Sequence, residues 1–356
     1  MRIAILGVGL IGGSVALAAR ERMGASVAGY DESADALSRA VQRGAVDEAC
    51  DSLAVALAGA EAVFVAVPVG RVPELVGEAL AAVPAGCVVS DVGSTKRAVV
   101  AAHDDPRFVG GHPLAGAESA GVEHARADLF EGAIWYLTPT ARTSGVLYER
   151  LHRFLHGLGA RPTAIDAETH DRILATVSHL PHVLANVLVS QAAGTLADGE
   201  ARLPATGPSF RDATRVAGAS SAIWTDIYLS NRDALNVELD RTIDRLRAVR
   251  ESLRAGDRDA IATWNDAAAA DRRALLEAQL AGGELVELRA SVPNRPGVIA
   301  RLALALGREG VNIVDMALYP ASDMTEGVVA LWVAGGAAAD RAQGLIAELG
   351  FAVARP

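Results

Sequence analysis

The sequence predicts three successive units: an α/β unit on a parallel sheet, then an all-α unit, then a small α+β unit of ferredoxin-like order. Three observations carry that division. Short apolar runs alternate with helical stretches over 1–165, long helical segments without convincing strands occupy 166–281, and a strand-helix-strand-strand-helix-strand order fills 284–356. A chain of 356 residues is also too long for one ordinary core.

The first unit opens on Arg2 to Leu6, an apolar run of the kind that forms a strand buried on both faces. A helical stretch from Ser14 to Arg22 and a strand at Val27 to Asp31 follow. Further strands are predicted at Ala62 to Val67, Cys87 to Val92, Arg107 to Gly111, Ile134 to Thr138 and Arg161 to Ile165. Helices are predicted around Ala34 to Arg43, Val72 to Ala82, Thr95 to Ala102 and Ser144 to Gly157. In the second unit helices are predicted at Ala167 to Ala193, Ala222 to Ala255 and Arg258 to Leu280, and Pro181 should kink the first. Their long apolar faces suit an internal core, a dimer interface or both. The third unit reads as strands at Leu285 to Val292, Ile313 to Tyr319, Gly327 to Val333 and Ala352 to Ala354, with helices at Gly297 to Glu309 and Ala338 to Leu349.

Between the first strand and its helix stands Gly7-Val8-Gly9-Leu10-Ile11-Gly12, a G-x-G-x-x-G turn. Its position after a strand and at the start of a helix marks a dinucleotide-binding (Rossmann) unit, and Asp31 lies 19 residues beyond Gly12, close to the usual spacing of about 20. Gly7 permits the tight turn, Gly9 the approach of a pyrophosphate and Gly12 the packing of helix on strand; Leu10 and Ile11 begin the helix whose N-terminus attracts that anion. A carboxylate at Asp31 accepts from ribose hydroxyls and repels a 2′-phosphate, so NAD is expected rather than NADP. Val67 and Pro68, at the end of the strand from Ala62, are expected to line the same cofactor. The competing reading is a glycine turn without a ligand.

Composition excludes several classes. Hydrophobic residues make up 51% and charged residues 21%, so the chain is globular rather than disordered. A net charge of -10 and a pI near 5.3 argue against nucleic acid or an anionic membrane surface as partner. Every long apolar run reads as broken by charge or proline before the roughly 20 residues a membrane span needs. The apolar stretch ending at Ala19 imitates a secretory signal, yet glycines at 7, 9, 12 and 13 weaken a helical signal segment. Cys50 and Cys87 match neither a metal site nor a redox pair, so a reduced, cytoplasmic setting is expected. Lys96 is the one lysine among 33 basic residues, which suggests that a compact ammonium is wanted there.

Polar residues cluster where loops should leave the strand ends, the usual ligand site of such a sheet. His112 stands in Gly110-Gly111-His112-Pro113-Leu114-Ala115-Gly116-Ala117-Glu118, whose glycines and proline suit a rigid, exposed loop. Ser94 stands in Asp91-Val92-Gly93-Ser94-Thr95-Lys96 at a strand end turning into a helix, where capping is the bland alternative. In Ser178-His179-Leu180-Pro181-His182 the histidines are three apart with no acidic partner, so no metal site is expected. Arg211 and Arg215, four apart in Phe210 to Arg215, share a helical face that suits either a solvated salt bridge or a bidentate carboxylate clamp.

Taken together and in this order, GVGLIGGS, DVGSTK, GGHPLAGAE, His170-Asp171, SHLPH and FRDATR resemble the prephenate/arogenate dehydrogenase family of tyrosine biosynthesis, over essentially the whole chain. The resemblance implies a Rossmann domain over 1–165, a helical dimerisation domain like that of 6-phosphogluconate dehydrogenase over 166–281, a homodimer, and oxidative decarboxylation of a cyclohexadienyl acid, prephenate or arogenate. It further implies that His112 draws the proton from the ring hydroxyl, that Ser94 holds that hydroxyl, that Arg215 with Arg211 binds a carboxylate and that His179 anchors the side chain. In relatives an acidic residue just before the His-Asp pair is associated with arogenate; here Thr169 is neutral, which favours prephenate. Another dehydrogenase or an imine reductase of the same architecture is the competing enzyme, and an amino-acid sensor that retains NAD is the non-enzymatic alternative.

The third unit, through Ser291 to Ile299 and Gly310 to Ile313, resembles the ACT domain, a small amino-acid-sensing module. That resemblance implies a regulatory ligand, L-tyrosine, near Asn294, Pro296, Gly297, Val298 and Asn312.

Overall fold

The computed structural model describes residues 1–356 apart from 117–119, 197–206, 281–284 and 322–324. Ala117 and Glu118 of the expected His112 loop, and the 281–284 boundary of the third unit, lie outside the described residues.

Strands β1 (Arg2–Leu6), β2 (Ser26–Tyr30), β3 (Glu48–Ala49), β4 (Ala62–Val65), β5 (Val88–Asp91), β6 (Phe108–Pro113), β7 (Ile134–Thr138) and β8 (Arg161–Ala164) form one sheet in the order β3-β2-β1-β4-β5-β6-β7-β8. Helices α1 (Leu10–Met23), α2 (Ala34–Gln42), α3 (Leu53–Leu57), α4 (Val72–Ala82), α5 (Arg97–Ala102) and α6 (Gly145–Gly157) cover it. Alternation along β1 explains the two layers: Ile3 and Ile5 enter one core with α1 and α6, whereas Ala4 and Leu6 enter another with α3 and α4.

The expectation of a wholly parallel sheet needs correction, because β7 runs antiparallel to β6. A parallel return requires a crossover helix. Among the described residues the link from β6 to β7 holds only a short 3-10 turn, Val122–His124, which packs on α1 and α2.

Helices α7 (Ala167–Leu174), α8 (Leu180–Leu196), α9 (Pro208–Thr214), α10 (Ser221–Ser230), α11 (Arg232–Ala255) and α12 (Arg258–Leu280) build the second unit. Pro181 has no N–H and its ring meets the carbonyl four residues back, and the chain absorbs this in a π turn, Ala175–His179, that joins α7 to α8. The helix predicted from Ala222 to Ala255 breaks instead at Asn231 (φ −108°, ψ 22°). Contrary to the reading of interrupted apolar runs, Ala167–Gly194 is long and apolar enough to cross a membrane by length and composition. In the fold this run supplies the buried side chains of His170, Asp171 and His179.

Strands β9 (Leu285–Pro293), β10 (Ile313–Pro320), β11 (Glu326–Ala334) and β12 (Ala352–Ala354) pair antiparallel in the order β10-β11-β9-β12, with α13 (Val298–Arg308) and α14 (Gly336–Glu348) completing the ferredoxin-like order. This sheet docks on the far edge of the first, α13 against β8 and β10 against α6, and the two units share one apolar cluster.

Candidate active site

The site is laid out along the carboxyl ends of adjacent strands. Beyond β1, Gly7 has φ +97°, and a Cβ there would fall 2.4 Å from the Ala66 carbonyl oxygen, so the turn requires glycine. No atom lies within 4 Å of where a Cβ on Gly9 would sit, which leaves open space before an α1 N-terminus that no side chain caps. Asp31, just past β2, accepts from Val8 N–H at 2.9 Å and Ser33 N–H at 2.8 Å, which fixes its carboxylate beside that turn. Gly7, Gly9, Leu10, Ile11, Gly12, Asp31, Val67 and Pro68 thus share one edge of the sheet, and the open cradle fits a dinucleotide pyrophosphate.

Two strands further along, β5 ends on Asp91, which is wholly buried with Lys96. The Lys96 ammonium donates to Asp91 Oδ2 and, at 2.8 Å, to the Gly111 carbonyl. Asp91 also accepts from Gly93 N–H at 2.8 Å and Gly111 N–H at 3.1 Å. This pair ties the end of β5 to β6, the strand that carries His112.

The predicted strand ending at Gly111 extends to Pro113, so His112 lies within β6, opposite Tyr136 on β7, and is only 8% exposed rather than in an open loop. Its Nδ1 is 2.9 Å from His170 Nε2, and His170 Nδ1 is 2.7 Å from Asp171 Oδ1. Burial, and then the charges of His170, Lys96 and His179, hold the His112 imidazole well below its ordinary pKa.

Ser94 is half-buried on the turn after β5 and does not cap α5. Asp171 does so from α7, accepting from Lys96 N–H at 2.7 Å and Arg97 N–H at 3.0 Å. Local sequence could not show a cap supplied from 75 residues away.

His179 closes the π turn, 1% exposed, with its pKa pushed down to about 4, first by burial. Asn231, at the break between α10 and α11, donates from Nδ2 to the Asp171 carbonyl at 2.7 Å and lies 3.1 Å from His179 Nδ1. His179 Nε2 is buried without a partner among the described residues. His182 stacks on Trp224, ring centroids 3.4 Å apart, beside a cavity of about 120 Å³ that Tyr228 and Asn186 also line.

The structure therefore links His112 and His179 through His170, Asp171 and Asn231, and places Ser94 on the turn after the neighbouring strand β5. Arg211 on α9 and Arg215 at its C-terminal end are exposed. Sequence reasoning gave no role to His170, Asp171, Asn231 or Trp224. The His170-Asp171 pair was visible as a motif; Asn231 left no signal beyond a poor helix former within a helical run.

Residues 15–164 match the model of a family described as "Prephenate dehydrogenase, nucleotide-binding domain", and residues 166–265 match "Prephenate dehydrogenase, dimerization domain". A prephenate dehydrogenase of Bacillus subtilis (strain 168) is 32% identical over 337 residues, 92% of this chain and 90% of its own. The chain belongs to the prephenate dehydrogenase family. Among solved structures, prephenate dehydrogenase from A. aeolicus in complex with hydroxyphenyl propionate and NAD+ is similar with a TM-score of 0.74 and 28% identity, covering 77% of this chain and 98% of that one. Arogenate dehydrogenase from Synechocystis is similar at a TM-score of 0.67 and 27% identity, covering 77% and 100%. As a member of the family, the chain is an NAD-dependent oxidoreductase with a Rossmann-like nucleotide-binding domain followed by a helical dimerisation domain. The C-terminal sheet lies beyond residue 265, outside both family matches.

Proposed function

We propose that this prephenate dehydrogenase oxidatively decarboxylates prephenate to 4-hydroxyphenylpyruvate with His112 as the general base. The carrying observation is a buried imidazole at the end of β6 whose Nδ1 is already engaged, on the same sheet edge as the nucleotide turn, with the half-buried Ser94 on the turn after the neighbouring strand β5. NAD, held by Gly7 to Gly12 and Asp31, supplies the hydride acceptor when bound. Ser94 orients the substrate's ring hydroxyl and His112 takes its proton through Nε2 as the carbinol carbon gives up hydride. The electron pair of the departing carboxylate then aromatises the ring, and the phenolate oxygen recovers the proton from His112. His179 donates to a side-chain oxygen of the substrate, and Arg215, with Arg211, supplies guanidinium charge for its carboxylate. Thr169, in the first turn of α7, brings no carboxylate to pair an ammonium, which favours prephenate over arogenate.

His112→Asn is expected to lower kcat by on the order of 10²–10⁴ with KM nearly unchanged. Undiminished turnover would remove the base. Comparison of kcat/KM for prephenate and arogenate tests the substrate; preference for arogenate would overturn the Thr169 argument.

The helical unit exposes Val177, Val187, Leu188, Ile223 and Leu229, a surface suited to homodimer formation. The C-terminal unit is proposed to be an ACT domain that binds L-tyrosine at the loop of Asn294, Pro296, Gly297 and Val298. A cavity there, about 120 Å³, opens against Ser144 and Val146 of the Rossmann domain. Asn312 lies elsewhere, its Oδ1 accepting from Thr163 Oγ1 at 3.1 Å in the joint between the units. Tyrosine inhibition that survives Val298→Trp unchanged would sink this assignment.

A further inference from the structure

We propose that Asp171 sets the proton positions of both site imidazoles, through His170 and Asn231, so that His112 presents an acceptor and His179 a donor to the substrate. The proposal rests on the reading of His112 as the base.

The argument is one of hydrogen-bond polarity. A carboxylate only accepts, so the 2.7 Å contact between Asp171 Oδ1 and His170 Nδ1 places the His170 proton on Nδ1. Burial holds His170 below its ordinary pKa, so its Nε2 carries a lone pair. His112 Nδ1, 2.9 Å away, must then donate, which leaves the lone pair of a neutral His112 on Nε2. That nitrogen makes no hydrogen bond to a described residue.

The same residue acts on His179 through its main chain. A carbonyl also only accepts, so the 2.7 Å contact of Asn231 Nδ2 with the Asp171 oxygen fixes which end of the amide bears hydrogen. The second hydrogen of that amide points to His179 Nδ1 at 3.1 Å. His179 therefore carries its proton on Nε2, the buried atom without a partner among the described residues. A buried donor of this kind is satisfied by a substrate oxygen.

Three N–H groups, of Lys96, Arg97 and His170, converge on the Asp171 carboxylate and hold it in place. The charged and titratable groups that face these rings are Lys96, His170 and His179 around His112, Asp91, Lys96 and Tyr136 around His170, and His170, Asp171 and His182 around His179, with the Asn231 amide against the last. When His112 takes a proton, the Asp171 carboxylate behind His170 offsets the new charge and the Lys96 ammonium opposes it. His170, Asp171 and Asn231 are positioning residues: they act through His112 and His179.

The test pairs two substitutions with a spectroscopic reading. His170→Phe removes the acceptor for His112 Nδ1–H and is expected to lower kcat on the order of 10²–10³-fold, to leave KM within about 3-fold and to displace the acidic limb of the kcat profile. His170→Gln, whose Oε1 accepts from the same N–H, should regain most of that loss. Wild-type kcat and pH profile in His170→Phe, alongside an inactive His112→Asn, would overturn the proposal and leave the base standing. Undiminished turnover in His112→Asn would instead remove the base itself. Ring ¹⁵N resonances of the wild-type enzyme, assigned with His112→Asn and His179→Asn, provide a reading that needs no substituted protein to be active. Protonation at Nδ1 of His112 and Nε2 of His179 is expected at neutral pH; His112 protonated at Nε2 would contradict the proposal.

Discussion

Lys96 shows how one residue can carry both stability and geometry. Its ammonium is completely buried, and it joins Asp91 to the Gly111 carbonyl one position before His112, the proposed base. Removing one partner of a buried pair strands the other charge, so Lys96→Met should lower the unfolding free energy by about 3–5 kcal/mol. Lys96→Arg should not rescue it, because a planar guanidinium has no room in a site that leaves the lysine side chain no exposure. Denaturant unfolding of the two variants checks this, and wild-type stability in either would contradict it. At His112 the sign of the pH dependence is also fixed. A pKa held below the ordinary value keeps the imidazole neutral through neutral pH, so the acidic limb of kcat/KM should lie below about pH 6.5. An acidic limb above that value in the free enzyme would contradict the buried setting. The sequence made Lys96 conspicuous by its rarity, but its partner, 5 residues earlier at a strand end, became evident only when β5 and β6 were placed side by side.

At the scale of elements, regular periodicity announced most strands and helices of the Rossmann domain. The departures fall where long-range contacts decide. The two-residue β3 and five-residue α3 are too short to show a period. The start of α5, the π turn and the break at Asn231 all belong to the cleft, where Asp171 and Asn231 satisfy groups that local sequence leaves open. Asn231→Leu should thus act on both element and site. It leaves His179 Nδ1 without its donor while the Asp171 carbonyl keeps the Ala175 N–H, frees the His179 proton to move, and is expected to destabilise the fold by about 1–3 kcal/mol and to raise KM for substrate. An unchanged KM would count against the role of Asn231. Helix α6 supplies a second case. His152 is wholly buried in it, faces β10 and keeps both ring nitrogens without partners among the described residues. Burial pushes its pKa down to about 4, so folding favours the neutral ring. That contribution is complete above the unfolded value near 6.5 and is lost as pH falls toward about 4. His152→Phe should flatten the fall of Tm across that window, and an unaltered slope would contradict it.

For the whole molecule, the sequence suggested three consecutive domains but could not show that the third leans on the first. Gly307 on α13 approaches β8 so closely that a Cβ would sit 2.2 Å from the Ala164 carbonyl oxygen. Gly297 N–H donates to the Thr143 carbonyl at 3.2 Å, and Asn312 meets Thr163. The edge of the Rossmann sheet is thereby covered rather than left as an open strand. Gly307→Val should pry the joint apart and lower Tm, and a chain ending near residue 281 should be less stable because it exposes α6 and β8. The C-terminal sheet thus reaches the nucleotide-binding domain through direct packing, while His112 and His179, proposed to act in catalysis and substrate binding, sit where that domain meets the helices. The most direct test of the account follows NADH absorbance and carbon dioxide release together when protein, NAD and prephenate are mixed. One NADH and one carbon dioxide per prephenate are expected, with the signal lost in His112→Asn; no NADH from prephenate, or full turnover in that variant, would contradict it.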